Sequence, residues 1–155
     1  MNDNNDLEKY LEHNGVWHKF ILKQETIHTA DAAKAAGIEL HRVTKNLVSE
    51  TDQGEHVLLI IPGDRKVNLG AVAKALKVRN VQLVPFAEAE EISGYPPGGT
   101  PSIGHKTRMR AVIDEDLLRF ETVFCGGGSR DRLVELKTQD IVSLNDSIIA
   151  KISMQ

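Results

Sequence analysis

Residues 57–78 read VLLIIPGDRKVNLGAVAKALKV. The first five are apolar and Pro62-Gly63-Asp64 ends the run, so this piece reads as a strand. Leu69, Val72, Ala73 and Leu76 then recur at i, i+3, i+4 and i+7 behind Asn68, a good N-cap, which predicts a helix over 69–77. Just upstream, Thr51-Asp52-Gln53-Gly54 is a turn, so residues 46–50 and 56–61 form a β-hairpin.

Towards the N-terminus, Leu40, Val43 and Leu47 suggest a helical turn running into a strand. Thr29 can cap a helix over Ala30 to Ala36, whose small residues at 32, 33 and 36 give a smooth face and whose stop is Gly37. A strand at Phe20 to Leu22, closing by Thr26-Ile27, precedes it. Leu7, Tyr10 and Leu11 mark a first helix that Asn14-Gly15 stops, with residues 1–6 frayed.

Towards the C-terminus come a strand at Val81 to Leu83 and an acidic helix from Phe86 to Ser93. After the Pro/Gly segment 94–104, strands follow at 111–113, 122–125, 133–136 and 148–152, with helical turns at 114–118 and 138–142. Short strands with helices scattered among them argue for one α/β (α+β) domain over 1–155, with a mixed sheet able to curl like a barrel.

The chain has 155 residues, 41% hydrophobic and 26% charged, which suits one soluble domain. Nineteen basic against 22 acidic residues leave a formal charge of −3. That disfavours non-specific DNA coating but leaves room for a local RNA patch. A lone cysteine, Cys125, excludes an internal disulfide framework and a Cys-rich metal site. No apolar run is long enough for a membrane helix, and the polar N-terminus is unlike a signal peptide, so the expected location is the cytoplasm.

Four stretches could carry chemistry. Gly94 to Gly104 holds four glycines and three prolines, which fix a non-repetitive backbone whose N–H groups can meet an anion or a forming oxyanion; the alternative is a rigid connector. Gly126-Gly127-Gly128-Ser129 follows a strand but lacks the spacing of a dinucleotide or P-loop motif, leaving a hairpin turn or a second pocket wall. Lys45 sits in an apolar stripe; it either snorkels to water or, lining a cleft, pairs with a phosphate or positions a water. Lys106, Arg108 and Arg110 would share one face of an extended segment, a solvated edge or a grip on a phosphodiester backbone. No histidine falls in a metal-binding pattern, so no metal is expected, and Cys125 in its apolar strand reads as a buried hydrophobe.

In order, HTADAAKAAGIELHRVTKNLV, VLLIIPGDRKVNLGAVAKALKV, GYPPGGTPSIG and VFCGGGSRDRLVEL resemble the YbaK / prolyl-tRNA-synthetase-associated domain family of aminoacyl-tRNA deacylases, from about residue 20 to 145. The resemblance implies a barrel-like mixed sheet and hydrolysis, in trans and without cofactor or metal, of the ester joining a wrong amino acid to tRNA. It puts Lys45 on the family's active-site lysine and Gly98 and Gly99 on the glycine loop facing the ester. Asn46, Thr100, Ser102, Gly126 and Gly127 become candidates for substrate binding, and Lys106, Arg108 and Arg110 for the tRNA. The expected partner is aminoacyl-tRNA, with prolyl-tRNA synthetase a candidate second one and no role for DNA or membrane. The family's Gly-x-x-x-Pro pattern ends here at Ser102, with Pro101 one place early, and Asn46 stands where a threonine or serine is common. These differences leave the amino acid open and motivate an alternative, a non-catalytic module binding tRNA, nucleotide or synthetase on the same fold.

Overall fold

The computed structural model describes residues 4–155. In chain order the elements are α1 (Asn4–His13), β1 (His18–Leu22), α2 (Thr29–Ala36), β2 (Thr44–Thr51), β3 (His56–Pro62), β4 (Lys66–Val67), α3 (Leu69–Leu76), β5 (Val81–Leu83), α4 (Phe86–Ser93), β6 (Ala111–Asp114), β7 (Thr122–Gly126), β8 (Arg132–Lys137), α5 (Thr138–Leu144), β9 (Ile148–Ala150) and β10 (Ser153–Met154). Short 3-10 turns cover Leu40–Arg42 and Glu115–Arg119. Of the residues expected to fray, 1–3 lie outside those described and 4–6 already belong to α1.

The apolar run is the centre of the molecule. Val57 to Ile61 are all fully buried, because β3 is covered on both faces and so has no polar side to show. Leu58 and Ile60 pack with Ala111, Ile113, Val123, Val134, Leu136 and, from α1, Leu7 and Leu11. Val57, Leu59 and Ile61 pack on the other side against Val72, Ala73 and Leu76 of α3. Burying each large aliphatic side chain contributes about 1.5–3 kcal/mol. Asn68 caps α3 as its position predicts, its Oδ1 accepting from Ala71 N–H at 3.1 Å.

Three sheets surround these cores. The largest has order β5-β2-β3-β6-β9; β2–β3 and β2–β5 are antiparallel, β3–β6 and β6–β9 parallel. A second, antiparallel sheet has order β1-β8-β7, and β4 pairs with β10. The sheet is mixed, as expected, but it does not close into a barrel: β5 and β9 remain edges, and one parallel bridge, Val43 to Phe124, links the two larger sheets. Thr29 is the first residue of α2 rather than its cap; His28 takes that place and its side chain makes no capping bond. The expected last strand is split at Lys151-Ile152, where the chain turns to reach β4.

Candidate active site

Strand β2 has an interrupted outer edge. At one end Val43 bridges to Phe124 of β7. At the other, Val48 C=O accepts from Val84 N–H at 3.1 Å and Ser49 to Thr51 pair with β5. No strand covers the stretch between, and a cavity of about 430 Å³ opens there, a size suited to a small ligand. Lys45, Asn46, Gly98, Thr100 and Gly126 all line it; Ala32, Val43, Val48 and Leu133 supply apolar wall.

Asn46 joins β2 to the Pro/Gly segment. Its Oδ1 accepts from Ser102 Oγ at 2.7 Å, and its Nδ2 donates to Thr44 Oγ1 at 3.1 Å and to Thr100 C=O at 3.3 Å. Ser102 has one hydroxyl proton and gives it to Asn46, so across the 3.1 Å contact Thr44 is the donor to Ser102. The three side chains form a closed ring in which each hydroxyl proton is used. Ser102 is fully buried beneath the cavity and acts by holding the segment in place.

Lys45 is half-buried and its Nζ donates to the carbonyl of Arg65 at 3.0 Å. It shares the cavity with the glycine segment, but its ammonium is tied to the turn after β3; Asn46 is the residue bonded to that segment. An ammonium has three protons, so two remain for a ligand.

The two glycine stretches are pressed together. Gly128 N–H donates to Gly99 C=O at 2.9 Å. A Cβ on Gly99 would lie 2.9 Å from the backbone of Ser129, and one on Gly126 would lie 2.5 Å from the carbonyl carbon of Gly99. Gly98, at φ 86°, packs equally tightly on Thr26 and Ile27. Side chains are excluded at these positions by neighbouring main chain. Gly99 N–H is bonded to Pro96 C=O at 2.9 Å, whereas the N–H groups of Gly98 and Thr100 donate no bond within the described residues. Gly127 serves another contact: its N–H and C=O both pair with buried Arg132, and it does not line the cavity.

A family model for the aminoacyl-tRNA editing domain matches residues 24–144. The chain belongs to that family. It is 28% identical over 144 residues to EbsC of Enterococcus faecalis, provisionally named a Cys-tRNA(Pro)/Cys-tRNA(Cys) deacylase, covering 93% of this chain and 85% of that one. It is 29% identical over 133 residues to the multifunctional Ser/Thr-tRNA deacylase ProXp-y of Escherichia coli, covering 83% and 77%. A solved structure provisionally described as a trans-editing enzyme for prolyl-tRNA synthetase superposes with TM-score 0.85 at 25% identity, over 98% of this chain and 97% of that one.

In this editing domain the basic run stands apart from the cavity. Lys106, Arg108 and Arg110 do not line it, and residues 105–110 are not a strand, so strand alternation does not set where their side chains lie. Lys106 and Thr107 N–H groups bond the end of α4, at Ser93 and Ile92. Arg110 forms a two-point ion pair with Glu55 at 2.7 and 3.0 Å; Lys106 and Arg108 are exposed. Cys125 is buried, and burial pushes its thiol up to about 11; its sulfur accepts from Ser102 N–H at 3.3 Å. Metal-ligand types gather at Glu50, His56 and Glu88, where His56 Nε2 lies 2.9 Å from Glu50; none of the three lines the cavity. Among the described residues no helix is long and apolar enough to cross a membrane.

The cavity also gathers His28, Thr29, Glu90 and Phe86, none of which stood out in the sequence. His28 and Thr29 open α2, a position where side chains often face a ligand rather than the core. Phe86 is 69% exposed at the start of an acidic helix, and a large aromatic without a buried face is the one signal that could have drawn attention to it.

Proposed function

We propose that the protein hydrolyses the ester of mischarged tRNA in trans, as a deacylase that edits aminoacyl-tRNA, with tRNA(Pro) as the tRNA. The observation that carries it is one cavity lined by Lys45, by Gly98 and Thr100 of the Pro/Gly segment and by Gly126. The names of the relatives support the tRNA. No strong nucleophile is needed: an aminoacyl ester is reactive, and water with a stabilised oxyanion suffices. Water adds to the ester carbonyl, the bond to the ribose oxygen breaks, and the proton ends on that oxygen. Donors held at the forming oxyanion lower the barrier, each by about 3–4 kcal/mol; the unpartnered N–H groups of Gly98 and Thr100 fill that role. Lys45 offers its two remaining protons to the terminal nucleotide, anchored by Arg65 C=O. The ring of Thr44, Asn46 and Ser102 keeps the segment at fixed distance from β2. A smaller second pocket answers a problem of selection, since one methylene gives a synthetase only about 1–3 kcal/mol of discrimination. Lys106 and Arg108 are the basic residues left for the acceptor stem, with Arg110 held by Glu55. Prolyl-tRNA synthetase, which would hand over its mischarged product, is the proposed second partner, and the cytoplasm the proposed place of action.

The test is deacylation of alanyl-, seryl- and cysteinyl-tRNA(Pro) by wild type and Lys45→Ala, with thermal unfolding of both. Wild type cleaves at least one substrate, and Lys45→Ala loses at least about tenfold in kcat/KM while stability changes by only about 1 kcal/mol, the worth of one hydrogen bond. Tight binding of charged tRNA without cleavage would instead favour the non-catalytic module.

A further inference from the structure

The open edge of β2 has a main-chain consequence. Strand residues direct N–H and C=O to alternate sides. Thr51 N–H turns inward to Glu55 of the hairpin, and Val48 C=O turns outward to Val84. Asn46, two residues before Val48, therefore directs both its N–H and its C=O outward. Neither β5 nor β7 reaches it, and no hydrogen bond to its main chain exists among the described residues. Asn46 lines the cavity, which opens along this uncovered stretch of β2.

An outward N–H and C=O on one residue bind the C=O and N–H of the residue opposite, as in the hydrogen-bonded pair of an antiparallel ladder. An aminoacyl ester carries that same set: a carbonyl oxygen and, one carbon away, an α-ammonium. We propose, resting on the deacylase reading, that the main chain of Asn46 reads the aminoacyl group as a one-residue strand. Its N–H donates to the ester carbonyl, joining the Gly98 and Thr100 donors around the oxyanion, and its C=O accepts from the α-ammonium. The substrate class is then aminoacyl-tRNA with a free α-amino group; N-blocked esters, such as peptidyl- and N-formylated aminoacyl-tRNA, are spared because acylation removes the charge and adds bulk at the strand edge. Main-chain recognition is also indifferent to side chain, which leaves the choice of amino acid to the apolar wall.

Two measurements test this on the full chain. The first compares Asn46→Pro with Asn46→Ala; both lose the amide side chain, and only proline also loses the N–H. Because that N–H lies outside the β2–β3 ladder, proline is tolerated as on an edge strand, and the two variants unfold at similar temperature. Asn46→Pro is then at least about tenfold lower in kcat/KM than Asn46→Ala, the order of loss for one oxyanion donor. Equal activity, or an Asn46→Pro chain that does not fold, overturns the proposal. The second compares whichever of alanyl-, seryl- or cysteinyl-tRNA is cleaved with its N-acetyl derivative. A loss of at least about tenfold is expected, as for a charge-assisted hydrogen bond; equal rates overturn it. Cleavage of none of the free esters by wild type refutes the deacylase reading itself and removes this inference with it.

Discussion

Gly126 shows how closely the site is drawn. Its missing Cβ would sit 2.6 Å from Thr100 C=O and 2.7 Å from Thr100 N, as well as against Gly99, and all these atoms are backbone. Rigid main chain cannot rotate out of the way as a flexible side chain can, so Gly126→Ala must push the two glycine stretches apart. Overpacking of this kind costs about 1–3 kcal/mol, visible as a lower unfolding temperature. Activity falls further than stability, because a displacement of about 1 Å near reacting groups can cost about 10²-fold. Deacylation of the wild-type substrate, measured at a temperature where the variant is folded, checks this; unchanged kcat/KM would mean that the glycine contact does not set the site's geometry. The residue's role follows from its neighbours in space, Gly99 and Thr100, some 26 positions back in the chain. The sequence offers Gly126 as a pocket-wall candidate, but not the contact with Gly99 and Thr100 that excludes a side chain there.

At the scale of elements, the Pro/Gly segment is held from within. Tyr95 is buried and its hydroxyl donates to Gly104 C=O at 2.9 Å, closing the segment at its base. His105 adds a bond between Nε2 and Pro101 C=O at 2.7 Å, which fixes the tautomer with the proton on Nε2. Burial lowers the His105 pKa to about 4, since desolvation disfavours the charged ring more than the Pro101 carbonyl helps it. In the unfolded chain the ring titrates near 6.5. As pH falls from about 6.5 to about 4 the unfolded state takes up a proton that the folded state refuses, so stability declines across that window, by at most about 3 kcal/mol. Urea midpoints between pH 7.5 and 4.5 measure the decline, and His105→Gln, which can still donate to Pro101, flattens it. An equal slope in wild type and variant would assign the dependence to other groups. Elements of this kind were legible where their signal is local. The helix over 86–93, the cap at Asn68 and the 51–54 turn depend on neighbours in sequence, and the structure has them in place. Legible too, through the resemblance, was the nearness of Lys45 and Gly98, which line one cavity; Gly99, named with them, does not line it. Strand β4 was not, because Lys66 and Val67 pair only with the distant Ser153 and Met154. Nor was the ring of Thr44, Asn46 and Ser102, which spans 58 positions and needs the fold to bring its members together.

Across the whole molecule, a chain of contacts runs from the C-terminus to Lys45 of the cavity. Asp114, fully buried at the end of β6, accepts from Ile152 N–H at 2.8 Å and Ser153 N–H at 3.0 Å through one oxygen, and from Asp116 N–H at 3.3 Å through the other. Those bonds turn the chain into β10, which pairs with β4; Ile152 C=O also receives Asn68 N–H at 2.7 Å. Immediately before β4 lies Arg65, whose carbonyl holds Lys45 and whose guanidinium is 3.3 Å from Asp116. The turn that anchors the ammonium is thus clamped by residues nearly 90 positions away. Asp114→Ala leaves the two N–H groups of Ile152 and Ser153 buried without an acceptor, at a cost of about 3 kcal/mol or more. It should also release β10 from β4 and let the 64–68 segment move. Hydrogen exchange at residues 64–68 then rises in Asp114→Ala relative to exchange in β3, and KM rises about threefold to tenfold, the range of a coupling carried through packed contacts, with a smaller change in kcat. The separation matters, because general destabilisation would speed exchange in β3 as well, and would lower the folded fraction without altering KM. Protection of 64–68 unchanged beside a lost KM would break the link between the C-terminal strand and Lys45, and leave Arg65 C=O positioned by the β3 turn alone.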